Sequence, residues 1–77
     1  MVKSDYKYIS GKELIKLLDR YYGIEILSQK GSHIKIKLNN NGIKTIIPNH
    51  KELAYGTFSS ILEQLKIDEN TFLKQIK

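Results

Sequence analysis

The chain has no cysteine, so neither a disulfide framework nor a thiolate metal site can hold it together. That absence fits a reducing cytoplasm. No apolar run approaches the ~20 residues of a membrane span, and the opening segment Met1–Ser10 has none of signal-peptide length. The expectation is a soluble, cytoplasmic protein. With 77 residues the chain makes a single domain, and a domain so short buries only about 60–65% of the surface its unfolded chain exposes. Its core must be thin.

Acidic side chains are missing from one region in particular. Between Lys30 and Lys51 stand Lys30, Lys35, Lys37, Lys44, Lys51 and both histidines, with no Asp or Glu, while the rest of the chain carries equal numbers of acidic and basic residues. The formal net charge of +5 therefore resides in this central segment. Such a concentration suits a polyanionic partner, although a solvated face gives the same pattern. Other chemistries lack their residues. Two histidines without cysteine or clustered carboxylates do not make a metal set, the carboxylates are too scattered for a catalytic pair, and no GxGxxG or Walker loop is present. Neither a metal nor a cofactor is expected. Ser32 beside His33 is not part of a triad, because adjacent residues on a strand point to opposite faces.

Ser10-Gly11-Lys12-Glu13 has the spacing of a capping box, which predicts a helix start. Leu14, Leu17, Leu18 and Tyr21 follow at helical spacing, and Gly23 is a natural stop. Residues 1–9 are expected to form a flexible arm with Tyr6 and Tyr8 exposed, and residues 10–77 the domain. After Gly23 the period becomes two: Ile24, Ile26 and Ser28 share one side, Glu25, Leu27 and Gln29 the other. Lys30-Gly31 reads as a turn. From Ser32 the alternation sends Ile34, Ile36 and Leu38 inward and His33, Lys35 and Lys37 outward. Asn39-Asn40-Asn41-Gly42 predicts a hairpin turn, with Ile43 to Ile47 as the returning strand, ended by Pro48. Beyond a loop, Thr57 is placed to cap a second helix bearing Phe58, Ile61, Leu62 and Leu65, and Asp68 a short third one bearing Phe72, Leu73 and Ile76. The pattern is an α+β fold: helix, three-stranded antiparallel sheet, helix, short C-terminal helix. Both main helices should cover the Ile34/Ile36/Leu38 face, leaving the other face to solvent.

His33 stands beside a tight turn with lysines two and four residues on. A histidine can take the proton from a ribose 2′-hydroxyl, and the resulting oxyanion can attack the adjacent phosphodiester with no metal and no protein nucleophile. Lys35 and Lys37, roughly 7 and 13 Å along the strand, could hold phosphates and offset charge developing at phosphorus. An exposed strand histidine with no role fits the same spacing. His50, the other imidazole, could be a second acid or base that protonates the leaving 5′-oxygen, or a plain loop histidine. Tyr55 is a weaker candidate for that proton or for stacking on a base.

Leu14, Gln29-Lys30-Gly31-Ser32-His33, Ile46-Ile47-Pro48, Leu53, Gly56-Thr57 and Ser60-Ile61-Leu62 together resemble the pattern of HicA-type toxins, over about residues 10–76. The resemblance implies a fold like a double-stranded-RNA-binding domain, ribonuclease activity against messenger RNA that does not require the ribosome, and inhibition by a HicB-type antitoxin. By that likeness His33 is catalytic. The expected RNA-binding set is Lys30, Gly31, Ser32, Lys35, Lys37, Lys44, Lys51, Gly56 and Thr57. The family commonly carries basic residues before the Gly-Thr and just inside the following helix; Ala54-Tyr55 and Ser59 stand there instead. Backbone N–H groups of the second helix could still bind an anion. Two alternatives are a double-stranded-RNA-binding module without catalysis and a protein-interaction domain whose basic face serves an acidic partner.

Overall fold

A computed structural model describes residues 6–76. The first helix, α1 (Gly11–Tyr22), begins where the sequence predicts, with the Ser10 hydroxyl oxygen accepting the Glu13 N–H at 2.9 Å. It stops at Gly23, whose N–H donates to the carbonyls of Leu18 and Asp19. Leu14 and Leu18 are fully buried. Tyr21, expected on the inner stripe, is instead exposed, and Tyr22 turns inward: its ring stacks on Phe72 at 6.3 Å and its hydroxyl donates to Gln75. Gly11 is buried where the start of α1 meets the backbone at the end of β3. A Cβ there would lie 2.0 Å from the Pro48 carbonyl oxygen, and the Gly11 N–H donates to the His50 carbonyl at 2.9 Å. Only a glycine lets the start of α1 pack onto the end of the sheet.

The three strands β1 (Ile24–Lys30), β2 (His33–Leu38) and β3 (Lys44–Pro48) form one antiparallel sheet in the order β1-β2-β3. The β2 alternation is as predicted, with Ile34, Ile36 and Leu38 buried and His33 and Lys35 exposed. The regular alternation expected along β1 is broken by a bulge between Ile26 and Ser28. The extra residue, Leu27, shifts the phase, so Ser28 pairs with Lys35 and joins the outer face rather than the side of Ile24 and Ile26. The second hairpin closes through Asn41, whose side-chain oxygen accepts the Ile43 N–H.

Helix α2 (Tyr55–Gln64) and the short α3 (Glu69–Gln75) complete the chain. Thr57 does not cap α2: the helix starts two residues earlier, its N-cap is Ala54 and no side chain caps it. Gly56 and Thr57 thus lie in its first turn. Asp68 does cap α3, accepting the Thr71 N–H and hydroxyl, both at 2.9 Å. These hydrogen bonds, the backbone one foremost, hold the Asp68 carboxyl below the usual carboxylate range.

Leu14 and Leu18 of α1, Ile34, Ile36, Leu38 and Ile47 of the sheet, and Phe58, Leu62 and Phe72 of α2 and α3 make one core on one side of the sheet. Each such side chain, fully buried, contributes about 1.5–3 kcal/mol. Tyr6, expected to be exposed, is buried: its ring stacks on Phe58 at 4.3 Å and its hydroxyl donates to the Leu53 carbonyl at 2.6 Å. The Ile9 carbonyl accepts the Leu53 N–H. The arm from Tyr6 onward is therefore pinned to the loop before α2. The rest of the expected arm, residues 1–5, lies outside the described residues.

Candidate functional site

Covering one side of the sheet with helices leaves the other side open, and the strand register fixes which residues meet there. His33 is paired with Lys30 on β1 and Pro48 on β3; Lys35 with Ser28 and Ile46; Lys37 with Glu25 and Lys44. Directly opposed side chains leave the sheet about 4.5–5.5 Å apart at Cβ. Among the described residues, the open face thus carries four ammonium groups and one imidazole against a single carboxylate. That carboxylate, Glu25, sits at the far end and bridges Lys37 at 3.4 Å.

Lys30, His33 and Lys35 come together with Ser28 and Ile46 around one open hollow of about 410 Å³. None of its lining side chains is acidic. Gly31 and Ser32 form the two-residue loop that ends β1 and begins β2, with Gly31 at φ +56°. This left-handed backbone favours glycine. The Ser32 carbonyl accepts the Asn49 N–H at 2.6 Å, tying the turn to the residue after β3. His33, next to both, is therefore fixed in its backbone while its ring stays exposed.

The remaining expected residues lie outside this hollow. Lys44 lines the neighbouring one with Lys35, Thr45, Ile46 and Gln64, where the buried Thr45 hydroxyl donates to the Gln64 side-chain oxygen. His50 and Lys51 border a separate depression with Ser10, Lys12 and Asn49 at the start of α1. Gly56 and Thr57 belong to the opening turn of α2, and the space around Gly56 is open. Tyr55 and Ser59, which stand where basic residues are usual, both donate to Glu69 of α3, at 2.5 and 2.9 Å. The Glu69 carboxylate raises the Tyr55 phenol above its ordinary pKa.

Sequence reasoning missed Ser28 and Ile46. The bulge that brings Ser28 to the outer face left no mark in the sequence, whereas Ile46 was within reach: it alternates with the buried Thr45 and Ile47 and so had to face outward. Among the described residues, no three His, Asp or Glu side chains are grouped as metal ligands would be. Among the same residues no helix is long and apolar enough to cross a membrane.

The family model described as HicA toxin of bacterial toxin-antitoxin matches residues 11–67. A curated protein of Pseudomonas fluorescens (strain Pf0-1), named probable mRNA interferase HicA, is 41% identical over 49 residues, which cover 61% of this chain and 78% of that protein. No solved structure matches the chain. The family match takes in α1, the whole sheet and α2, and with them every residue around the His33 hollow.

Proposed function

This chain belongs to the HicA toxin family, and from that premise we propose that it is the toxin of a toxin–antitoxin pair, an endoribonuclease that cuts messenger RNA with His33 as general base and without a metal. The name of the Pseudomonas fluorescens relative, an mRNA interferase, supports the substrate. The observation that carries the reading is the grouping of His33 with Lys30 and Lys35 around one hollow without a carboxylate.

Its chemistry follows from those groups. RNA lies across the open face with its phosphates on the lysines. His33 removes the proton of a 2′-hydroxyl, the 2′-oxygen attacks the adjacent phosphorus, and the bond from phosphorus to the 5′-oxygen breaks. The products are a 2′,3′-cyclic phosphate and a 5′-hydroxyl. Lys30 and Lys35 offset the negative charge that grows on the phosphoryl oxygens as the bond forms. The leaving 5′-oxygen takes its proton from solvent water or from His50 as a second acid; because His50 borders a separate depression, His50→Ala should slow cleavage less than His33→Ala. Gly56, Thr57 and Lys51 are assigned to the flanking RNA backbone, with the opening N–H groups of α2 as donors.

The partner is a HicB-type antitoxin with an acidic surface that covers His33 and the lysine face. Opposite charges across that interface would speed association. The test is cleavage of RNA by the purified protein in EDTA. His33→Ala is expected to lower the rate by about 10²–10⁴-fold while circular dichroism shows the fold intact. Undiminished cleavage by that variant would remove His33 from the chemistry, and binding without cleavage by the native protein would favour a non-catalytic RNA-binding module.

A further inference from the structure

The lysine face has an apolar centre. Ile46 is 51% exposed and, with Lys35, lines both of the two adjoining hollows. It stands directly opposite Lys35, with His33 and Lys37 as diagonal neighbours on β2, about 7–8 Å away. Lys44 lies two residues earlier on the same strand. An isoleucine half in water, ringed by ammonium groups, has no part in the core, which lies on the other side of the sheet.

We propose that Ile46 is a nucleobase seat: one unpaired base of a single-stranded RNA lies on its side chain while the phosphates on either side of that base rest on the surrounding lysines. The inference rests on the reading that this face binds RNA, and it adds which part of the substrate is recognised and in what state. Lysines alone would hold any polyanion, paired or unpaired. An apolar surface between them gains nothing from a phosphate or a ribose hydroxyl, and the nucleotide component with an apolar face is the base. In a duplex that face is stacked inside the helix and cannot reach a side chain standing on a flat sheet. The diagonal from Ile46 to His33 is about one nucleotide long, so a base seated here sets the register of the chain at His33. An aliphatic surface makes no base-edge hydrogen bonds. The seat therefore accepts any base and selects for single strands.

The experiment separates this inference from the cleavage reading by measuring binding with RNA that cannot be cut. A 2′-O-methyl single strand of mixed sequence, the abasic ribose-phosphate chain of the same length, and a duplex of the same sequence are titrated against the native protein, Ile46→Thr and Ile46→Val. Threonine keeps the β-branched shape that a strand favours and loses the apolar surface; valine keeps both. The native protein should prefer the base-bearing strand to the abasic chain by about tenfold, the effect of covering an isoleucine side chain that is half in water. Ile46→Thr should lose most of that preference while holding the abasic chain as tightly as the native protein does, and Ile46→Val should retain it. Equal native affinity for the two chains would overturn the seat. So would a preference that survives in Ile46→Thr, or tighter binding of the duplex that the variant does not change. Absence of cleavage of ordinary RNA by the native protein would overturn the ribonuclease reading alone, because the binding comparison does not depend on it.

Discussion

Tyr6 joins the aromatic core from a segment with a polar, basic sequence. Burial, with Tyr8 nearby, pushes its phenol up to about 12 from the ordinary 10.0. The folded protein thus holds this proton more tightly than the unfolded chain. Its contribution is whole below pH 10 and is lost as pH rises from 10 through 12. Thermal melts should show this alkaline decline in the native protein and a shallower one in Tyr6→Phe. At neutral pH the same variant leaves the Leu53 carbonyl without its 2.6 Å partner, and denaturant titration should show a loss of about 1–3 kcal/mol. The burial of Tyr6 was illegible because two tyrosines among polar and charged residues look like an exposed arm, and the site on Phe58 exists only once the loop before α2 has folded. His33 was legible for the opposite reason: it belongs to a clean alternation that fixes its face without help from the rest of the fold.

Elements, rather than single side chains, decide where the hollow forms. The start of α1 is locked to the end of β3 by Gly11, where a Cβ would meet the Pro48 carbonyl at 2.0 Å. Both groups in that clash are backbone, so Gly11→Ala must push α1 away from Pro48, the residue paired with His33. Overpacking of this kind costs about 1–3 kcal/mol or more, and in so small a domain the melting temperature should fall by about 10 °C. Scanning calorimetry checks it, and an unchanged melting temperature would mean that the two elements separate freely. The sequence marked every helix and strand because their apolar spacing is strong. One boundary and one irregularity escaped it. Thr57 is a good capping residue, yet α2 begins at Tyr55 because packing of Phe58 and the hold of Tyr55 and Ser59 on Glu69 set the start of the helix. The β1 bulge escaped because Leu27 looks like any other strand residue.

At the scale of the whole molecule, four lysines gather on the open face of the sheet, with Glu25 as the only carboxylate there among the described residues. Each lysine that neutralises a phosphate of single-stranded RNA should add about 0.7 to the magnitude of the slope of log affinity against log salt. Lys37 enters this count last, since Glu25 already holds it at 3.4 Å. Glu25→Gln should therefore tighten RNA binding by up to about fivefold at low salt, the value of an exposed ion pair, and steepen the salt slope. Fluorescence anisotropy across a salt series measures both, and a weaker binder would show that Glu25 supports the face rather than competing with RNA. The general character of this surface was legible from the distribution of lysine. Its division into hollows was not, since that depends on register.

The central claim, that His33 directs attack by a neighbouring 2′-hydroxyl, is tested most directly by the ends of the cut RNA. Mass spectrometry of an oligonucleotide cut in EDTA should find a 2′,3′-cyclic phosphate on one fragment and a 5′-hydroxyl on the other, with a single 2′-deoxy substitution at the scissile nucleotide abolishing the cut. A 3′-hydroxyl and a 5′-phosphate, or cleavage that survives the 2′-deoxy substitution, would contradict it.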